Sequence, residues 1–170
     1  MTTSATIRRE DALDADAVRL VNERAFNQSS EAVLVDALRG VAGAISLVAA
    51  LDARIVGHIL FTPVQVGVEP AVPAIGLAPM AVMPAYQRQG IGSQLVRAGL
   101  DACRSQGHGV VVVVGHPTFY PRFGFVRAST AGLEYEHPVP PEAFMVLELQ
   151  PGALAQMRGV VRYRPEFSDV

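Results

Sequence analysis

Five consecutive valines, Val110–Val114, stand between Gly109 and Gly115 and constrain the fold more tightly than any other stretch. β-branched side chains favour extended backbone. A run without polar alternation suits a strand covered on both faces, most readily one within a parallel pair. A parallel neighbour must be reached by a long crossover, and the residues before the valines supply one. Leu77–Met83 is an apolar run ended by Pro84, and Ala85–Gln89 is a loop. Gly90–Gln106 carries Ile91, Leu95, Ala98 and Ala102 at helical spacing before Gly107 stops it. Leu77–Gly115 therefore reads as strand, loop, helix and strand, the size of one right-handed crossover unit.

Around this unit the pattern is mixed. Thr6–Arg9 reads as a first strand. Asp14 is expected to cap a helix with Val18, Val21 and Ala25 as its apolar stripe and Phe26 at its end, and Ser30 starts a second helix that Gly40 stops. Ile45–Leu51 and Ile55–Val68 read as strands joined by a turn at Asp52-Ala53, with Pro63 and the Gly67–Pro73 loop ending the second. Pro117–Phe123 is expected to be a short helix with proline first, ended by Gly124. Phe125–Ala128 and Phe144–Leu149 read as late strands, and a brief helix and a strand-like Val160–Tyr163 follow Pro151-Gly152. The 170 residues make one domain, assigned to residues 1–150, with 151–170 as an extension packed on it.

Composition narrows the chemistry. Half the residues are apolar and 18% are charged, which excludes intrinsic disorder. A net charge of −2 argues against nucleic acid as a partner. All fourteen cationic side chains are arginine, so Schiff-base, pyridoxal-lysine and Walker-lysine chemistry are excluded. The lone Cys103 rules out an intrachain disulfide and a cysteine-based zinc cluster, and the four histidines have no short ligand spacing, so no metal is expected. The longest near-apolar run, Val41–Leu51, is too short to span a bilayer, and the N-terminus lacks the apolar region of a signal peptide. These readings lead to the expectation of a soluble, cytoplasmic protein that engages no membrane.

The segment Met80–Ser93 carries the chemistry. Arg88-Gln89-Gly90-Ile91-Gly92-Ser93 places a run of backbone N–H groups, unobstructed at Gly90 and Gly92, at the start of a helix. Orphan donors and the positive end of the helix dipole together suit a phosphate, and Arg88 adds a charge. A dinucleotide fingerprint would want glycine or alanine where Leu95 stands.

Gln87-Arg88-Gln89-Gly90-Ile91-Gly92 fits the Q/R-x-x-G-x-G/A motif of the GCN5-related N-acetyltransferases (GNAT), and Phe119-Tyr120-Pro121-Arg122-Phe123-Gly124-Phe125 is similar to that superfamily's second signature. The chain resembles the family from Ile7 to about Leu149, and more narrowly its small bacterial members. The resemblance implies an α/β (mixed α+β) fold: a central mixed, mostly antiparallel sheet with a splayed parallel pair, flanked by helices. It implies acetyl-CoA as cosubstrate and a primary amine of a small molecule or protein as acceptor, joined in a ternary complex. Met80, Ala81 and Val82 would pair with the pantetheine arm. Gln87, Arg88, Gln89, Gly90, Ile91, Gly92 and Ser93 would hold the pyrophosphate, and Tyr120 would sit near the thioester sulfur.

Direct transfer needs no enzyme nucleophile, in keeping with the absence of a G-x-S-x-G elbow. A strand N–H such as that of Ala81 or Val82 suits the oxyanion, and a phenol suits the leaving thiolate. For the general base Glu31, His58, His116 and Glu142 are candidates, with His116 preferred for its place after the buried strand. Cys103 reads as a core residue. Glu134, Glu136 and His137 form a polar cluster that either borders an acceptor pocket or is a solvated loop. The alternatives are a catalytically silent acyl-CoA-binding module and an acyltransferase for a longer acyl group or a hydroxyl acceptor. The acceptor loops are placed at Phe26–Ser30, Gly67–Pro73 and Ala131–Pro141, and a homodimer is one assembly the resemblance allows.

Overall fold

The computed structural model describes residues 3–67 and 73–169. The end of the expected strand at Val68, and residues 68–72 of the expected acceptor loop, lie outside the described residues. Strands are β1 (Thr6–Arg9), β2 (Ile45–Leu51), β3 (Arg54–Val66), β4 (Ala74–Val82), β5 (Val110–Val114), β6 (Val126–Arg127), β7 (Leu133–Tyr135), β8 (Phe144–Glu148) and β9 (Gly159–Arg162); helices are α1 (Ala15–Phe26), α2 (Ser30–Leu38) and α3 (Ile91–Ser105). The hydrogen-bonded order is β1-β2-β3-β4-β5-β8-β6, and β9 pairs with β3 and β7. This mixed, mostly antiparallel sheet with helices is the fold that the family resemblance implies. The residues group into two compact units, residues 1–61, 79–99 and 165–170 in one and 62–78 and 100–164 in the other.

The first unit is built on β3. Its N-terminal half pairs antiparallel with β2, from Arg54 opposite Leu51 to Phe61 opposite Ile45, and β2 pairs antiparallel with β1. The β2–β3 turn falls at Asp52-Ala53 as expected, with φ of +49° and +65°. Two successive left-handed residues match the right-handed twist of a hairpin. Side chains alternate along β3. Leu60 joins Val18, Leu34, Val35, Leu38 and Val48 in a core on the α1–α2 face, while Gly57 and Phe61 meet α3. A strand covered on both faces explains its nearly unbroken apolar sequence.

Asp14 does not cap α1 as expected. Its carboxylate accepts two hydrogen bonds from Arg8, at 2.7 and 3.0 Å, and one from the Asp11 N–H at 2.8 Å. Asp11 instead caps a short 3-10 turn at Ala12–Asp14 that leads into the helix. The Arg8 hydrogen bonds hold the Asp14 carboxyl below its usual range, because they favour the charged form.

His58 is fully buried on the α1 face of β3. Asn22 Nδ2 lies 3.2 Å from His58 Nδ1 and donates to the Val18 carbonyl, while Ser46 Oγ lies 2.8 Å from Nε2. Ser46 donates to Glu10, which also accepts from Arg39. An amide donor at Nδ1 assigns the ring proton to Nε2, so Ser46 accepts from the ring and donates onward.

The second unit holds the valines. β5 pairs parallel with β4, from Ala74 opposite Val110 to Leu77 opposite Val113, and antiparallel with β8 along its whole length. Val110–Val113 are buried, but Val114 is 38% exposed: it lies one residue beyond the last β4 partner, so the expected burial covers four valines. Pro63 does not end β3. The β2 register stops at Phe61 and the β9 register begins at Gln65, so proline sits where neither ladder asks for its missing N–H. The expected helix at Pro117–Phe123 contracts to a 3-10 turn, Tyr120–Phe123, which Gly124 closes at φ +99°. A strand, β7, lies within the expected loop Ala131–Pro141 and pairs parallel with β9.

Burial and the nearby Arg39 charge lower His58 from 6.5 to about 3. The folded state thus binds fewer protons than the unfolded state below pH 6.5. The associated stability is full above that value and is lost as pH falls from 6.5 toward 3. Thermal unfolding across this range is expected to show a smaller acid loss in His58→Gln than in the parent. Equal slopes in the two proteins would contradict the buried neutral imidazole.

Candidate functional site

In the first unit the glycine loop joins β4 to α3. Met83 N–H donates to the Val56 carbonyl at 2.8 Å, which holds the end of β4 on β3. Pro84 opens a 3-10 turn through Tyr86. The glutamines then brace the loop: Gln87 Nε2 donates to the Val82 carbonyl at 2.9 Å, and Gln89 Nε2 donates to the Ala85 carbonyl at 3.3 Å. The Thr3 N–H and hydroxyl donate to the carbonyl and side-chain oxygen of Gln89. Gln94 Nε2 donates to the carbonyls of Thr3 and Gly90, while its Oε1 accepts from the Ala5 N–H. Gln94 and the N-terminal segment form a bracing contact that sequence reading missed.

Arg88 has φ +62° and Gly90 φ +86°. Left-handed residues turn successive N–H groups toward one side, as in anion-binding nests. The first helical bond at this end runs from the Gln94 N–H to the Gly90 carbonyl, 3.1 Å. The N–H groups of Ile91, Gly92 and Ser93 thus precede any intrahelical acceptor. They point along the axis of a fifteen-residue helix, at the end where its dipole is positive. Arg88 is exposed beside them. Main-chain donors, two glycines without side chains and one cation are a donor set that fits a pyrophosphate.

Two glycines set where α3 begins. A Cβ on Gly57 would lie 3.0 Å from Leu95 and 3.3 Å from Ile91, and one on Gly99 would lie 2.3 Å from the Phe61 ring. Strand and helix therefore approach more closely than a pair of larger residues permits. Neither glycine belongs to a recognisable motif, and only the buried aromatic facing Gly99 accounts for it.

Met80, Ala81 and Val82 form the end of β4, with Ala81 buried and its neighbours half-buried. The β4–β5 register stops at Leu77, so these residues extend β4 beyond that ladder. Pro79, just before them, lacks the N–H that would continue it.

In the second unit Tyr120 is 6% exposed. Its ring meets Phe119 and Phe125 edge-on, with centroids 5.0 and 5.6 Å away. A Cβ on Gly115 would come within 2.4 Å of it, so the glycine that ends the valine strand is the one that admits the tyrosine. Burial pushes the hydroxyl up to about 12, and the phenol stays protonated at neutral pH. His116 belongs to the same turn, where its carbonyl accepts from the Phe119 N–H at 3.2 Å, and its side chain is exposed. Ala143, next to Glu142, accepts from the Gly115 N–H at 2.9 Å.

The other candidates sit elsewhere. Glu31 is buried on α2 and accepts two hydrogen bonds from Gln28, at 2.6 and 2.9 Å. His58 lies in the α1-facing network, on the side of β3 opposite α3. Cys103 is buried, which pushes its thiol up to about 12, as expected of a core residue. Among the described residues no group of three or more histidine, cysteine, aspartate or glutamate side chains is arranged to hold a metal. No helix among them is long and apolar enough to cross a membrane.

Substituting Gly99 by alanine is expected to destabilise the protein by about 1–3 kcal/mol through overpacking against Phe61. Urea unfolding measures the loss, and adding Phe61→Leu should recover part of it. A neutral Gly99→Ala would show that this close approach does not seat the helix.

Comparison with known proteins agrees with this geometry. A family model described as an acetyltransferase (GNAT) domain matches residues 42–127. The chain is 41% identical over 142 residues to the uncharacterized N-acetyltransferase YjhQ of Escherichia coli K12, covering 81% of this chain and 78% of that protein. The crystal structure of the Escherichia coli GNAT N-acetyltransferase YhbS in complex with CoA superposes with a TM-score of 0.90 at 36% identity, covering 99% of this chain and 94% of that one. A Brucella melitensis GNAT acetyltransferase in complex with acetyl-CoA superposes with a TM-score of 0.77 at 35% identity, covering 96% and 98%. The chain belongs to the GNAT family of acetyltransferases.

Proposed function

We propose that this protein is an acetyl-CoA-dependent N-acetyltransferase that acts on a primary amine in a ternary complex. The observation that carries the reading is the set of amides at the start of α3, Ile91 to Ser93, that precede any intrahelical acceptor, together with relatives of 35–36% identity solved with CoA and acetyl-CoA. In this reading the amides and Arg88 hold the pyrophosphate. Gln87 and Gln89 act mainly by holding the loop in shape, since their side chains are spent on the carbonyls of Val82 and Ala85. The backbone of Met80–Val82 pairs with the pantetheine arm, and the N–H of Ala81 or Val82 stabilises the oxyanion.

Acetyl-CoA supplies an activated acyl group. The neutral amine nitrogen forms the new bond to its carbonyl carbon, the carbon–sulfur bond breaks, and the ammonium proton passes to a base or to water. Tyr120 is assigned to the departing sulfur. Its hydroxyl, pushed up to about 12, is a weaker acid than a thiol of pKa about 8.5. Complete transfer of its proton to a free thiolate is therefore uphill, and Tyr120 acts as a hydrogen-bond donor to the developing charge. His116, exposed on the same turn, is the assigned base. We place the activity in the cytoplasm.

Thermal unfolding with acetyl-CoA, CoA, NAD and ATP in parallel tests the cosubstrate. A ligand at about 100 times its dissociation constant adds about 2.7 kcal/mol, and the two CoA species alone are expected to stabilise. Gly92→Glu should abolish that shift, by steric block and by placing a negative charge at the pyrophosphate. In an amine screen that follows CoA release, Tyr120→Phe should lower turnover far more than acetyl-CoA affinity. No shift with either CoA species would overturn the reading, and unchanged turnover would remove Tyr120 from the reaction.

A further inference from the structure

Tyr163 lies beyond the stretch matched by the family model and beyond both sequence signatures. Strand β9 carries it into the second unit. Gln65 opposite Arg162 and Val66 opposite Val161 fix β9 on β3, and Tyr135 opposite Val161 fixes it on β7. The next residue, Tyr163, is buried. Its ring lies across Gly76 of β4, where a Cβ would come within 2.7 Å of Cε2 and 2.8 Å of Cζ. Its hydroxyl donates to the Val112 carbonyl of β5 at 3.3 Å. Gly76 and Val112 are register partners, one pair before the last β4–β5 pair, Leu77 and Val113. A single side chain therefore touches both members of the parallel pair next to the point where their pairing stops.

The ring is braced from behind. Tyr135 meets it edge-on at 5.7 Å and lies tilted against Phe144 at 5.4 Å, and Phe144 is the register partner of Val114, the last residue of β5. Burial, reinforced by the nearby Tyr135 and Tyr120, pushes the Tyr163 hydroxyl well above the usual phenol range. It remains a donor at neutral pH.

We infer that Tyr163 is a positioning residue for the acyl donor, fixing where β4 and β5 cease to pair and so the register of the β4 edge offered to the pantetheine arm. The inference rests on the proposed binding of acetyl-CoA. A glycine opposite an aromatic ring is an asymmetric fit: with the ring removed, only the Val64 methyl, 2.8 Å from where a Cβ would stand, still covers Gly76, and the end of the ladder is free to shift. A shift there misplaces the backbone groups that meet the pantetheine amides. It leaves intact the amides at the start of α3, which the glutamine-braced loop and the close approach of α3 to β3 hold in place. The loss should thus fall on the pantetheine half of the ligand.

Calorimetric titration of the full chain with CoA and with 3′-phospho-ADP, which keeps the pyrophosphate but lacks pantetheine, separates these halves. Tyr163→Ala and the better-filled Tyr163→Leu are expected to weaken CoA binding about tenfold or more while changing 3′-phospho-ADP binding less than about twofold. Tyr163→Phe, which restores the ring, should return CoA affinity to within about threefold of the parent. Unchanged CoA affinity in a folded Tyr163→Leu protein, or equal losses for both ligands, would overturn the inference alone. Failure of the parent to bind CoA would overturn the proposed function and this inference with it.

Discussion

Helix α3 lies against β3 at a distance that only small residues permit, with Gly57 beneath Leu95 and Ile91 and Gly99 over the Phe61 ring. This approach fixes the height of the helix above its strand, and hence the place of its first turn. The glycine loop then has little freedom: β4 is pinned at Met83 to Val56, α3 is pinned to β3, and the residues between are held by glutamine side chains. Dipole and orphan amides act on a ligand only when they are held still, since donors that must first be ordered return part of the binding energy as lost entropy. Close packing distant from any ligand atom is in this sense part of the proposed anion site.

The opposite face of β3 solves a different problem. A chain of hydrogen bonds runs from the buried Asn22 and His58 through Ser46 to Glu10 and the exposed Arg39. Burying such groups costs more than burying hydrocarbon unless every member is paired. Here every member has a partner, with Asn22 Oδ1 the one buried acceptor left over, and the pairing ties α1 and Arg39, the residue after α2, to β2 and β3. It also takes His58 out of consideration as a base, because its ring nitrogens are occupied and burial keeps it neutral. Strand alternation predicts that His58 points to one face, but sequence gives no hint that Asn22, thirty-six residues away, supplies its partner.

What was legible in the sequence followed from local signals. The valine run, the apolar stripe of α3, the positive-φ turn at Asp52-Ala53 and the stops at Gly40, Gly107 and Gly124 all act within a few residues, and they placed most elements correctly. The glycine loop is legible as a turn into a helix because that geometry is contained in consecutive residues. The misses depend on partners distant in sequence. Asp14 reads as a cap because it stands before a helix, whereas Arg8 claims its carboxylate. Pro63 reads as a strand end because proline removes a donor, whereas β3 passes there between its β2 and β9 ladders. β7 reads as loop in the sequence because a three-residue strand, set between Gly132 and Pro138, is too short to show a period. It exists because β9 returns beside it, and the same return delivers Tyr163.

The central claim is that the amides opening α3 bind the pyrophosphate of CoA. Two-dimensional 1H–15N NMR of the labelled protein tests it directly, by titration with CoA and, separately, with pantetheine. The amide signals of Gly90, Ile91, Gly92 and Ser93 are expected to move in saturable fashion with CoA and to stay in place with pantetheine. If CoA binds while those four amides do not move, the anion lies elsewhere and the account of this loop is wrong.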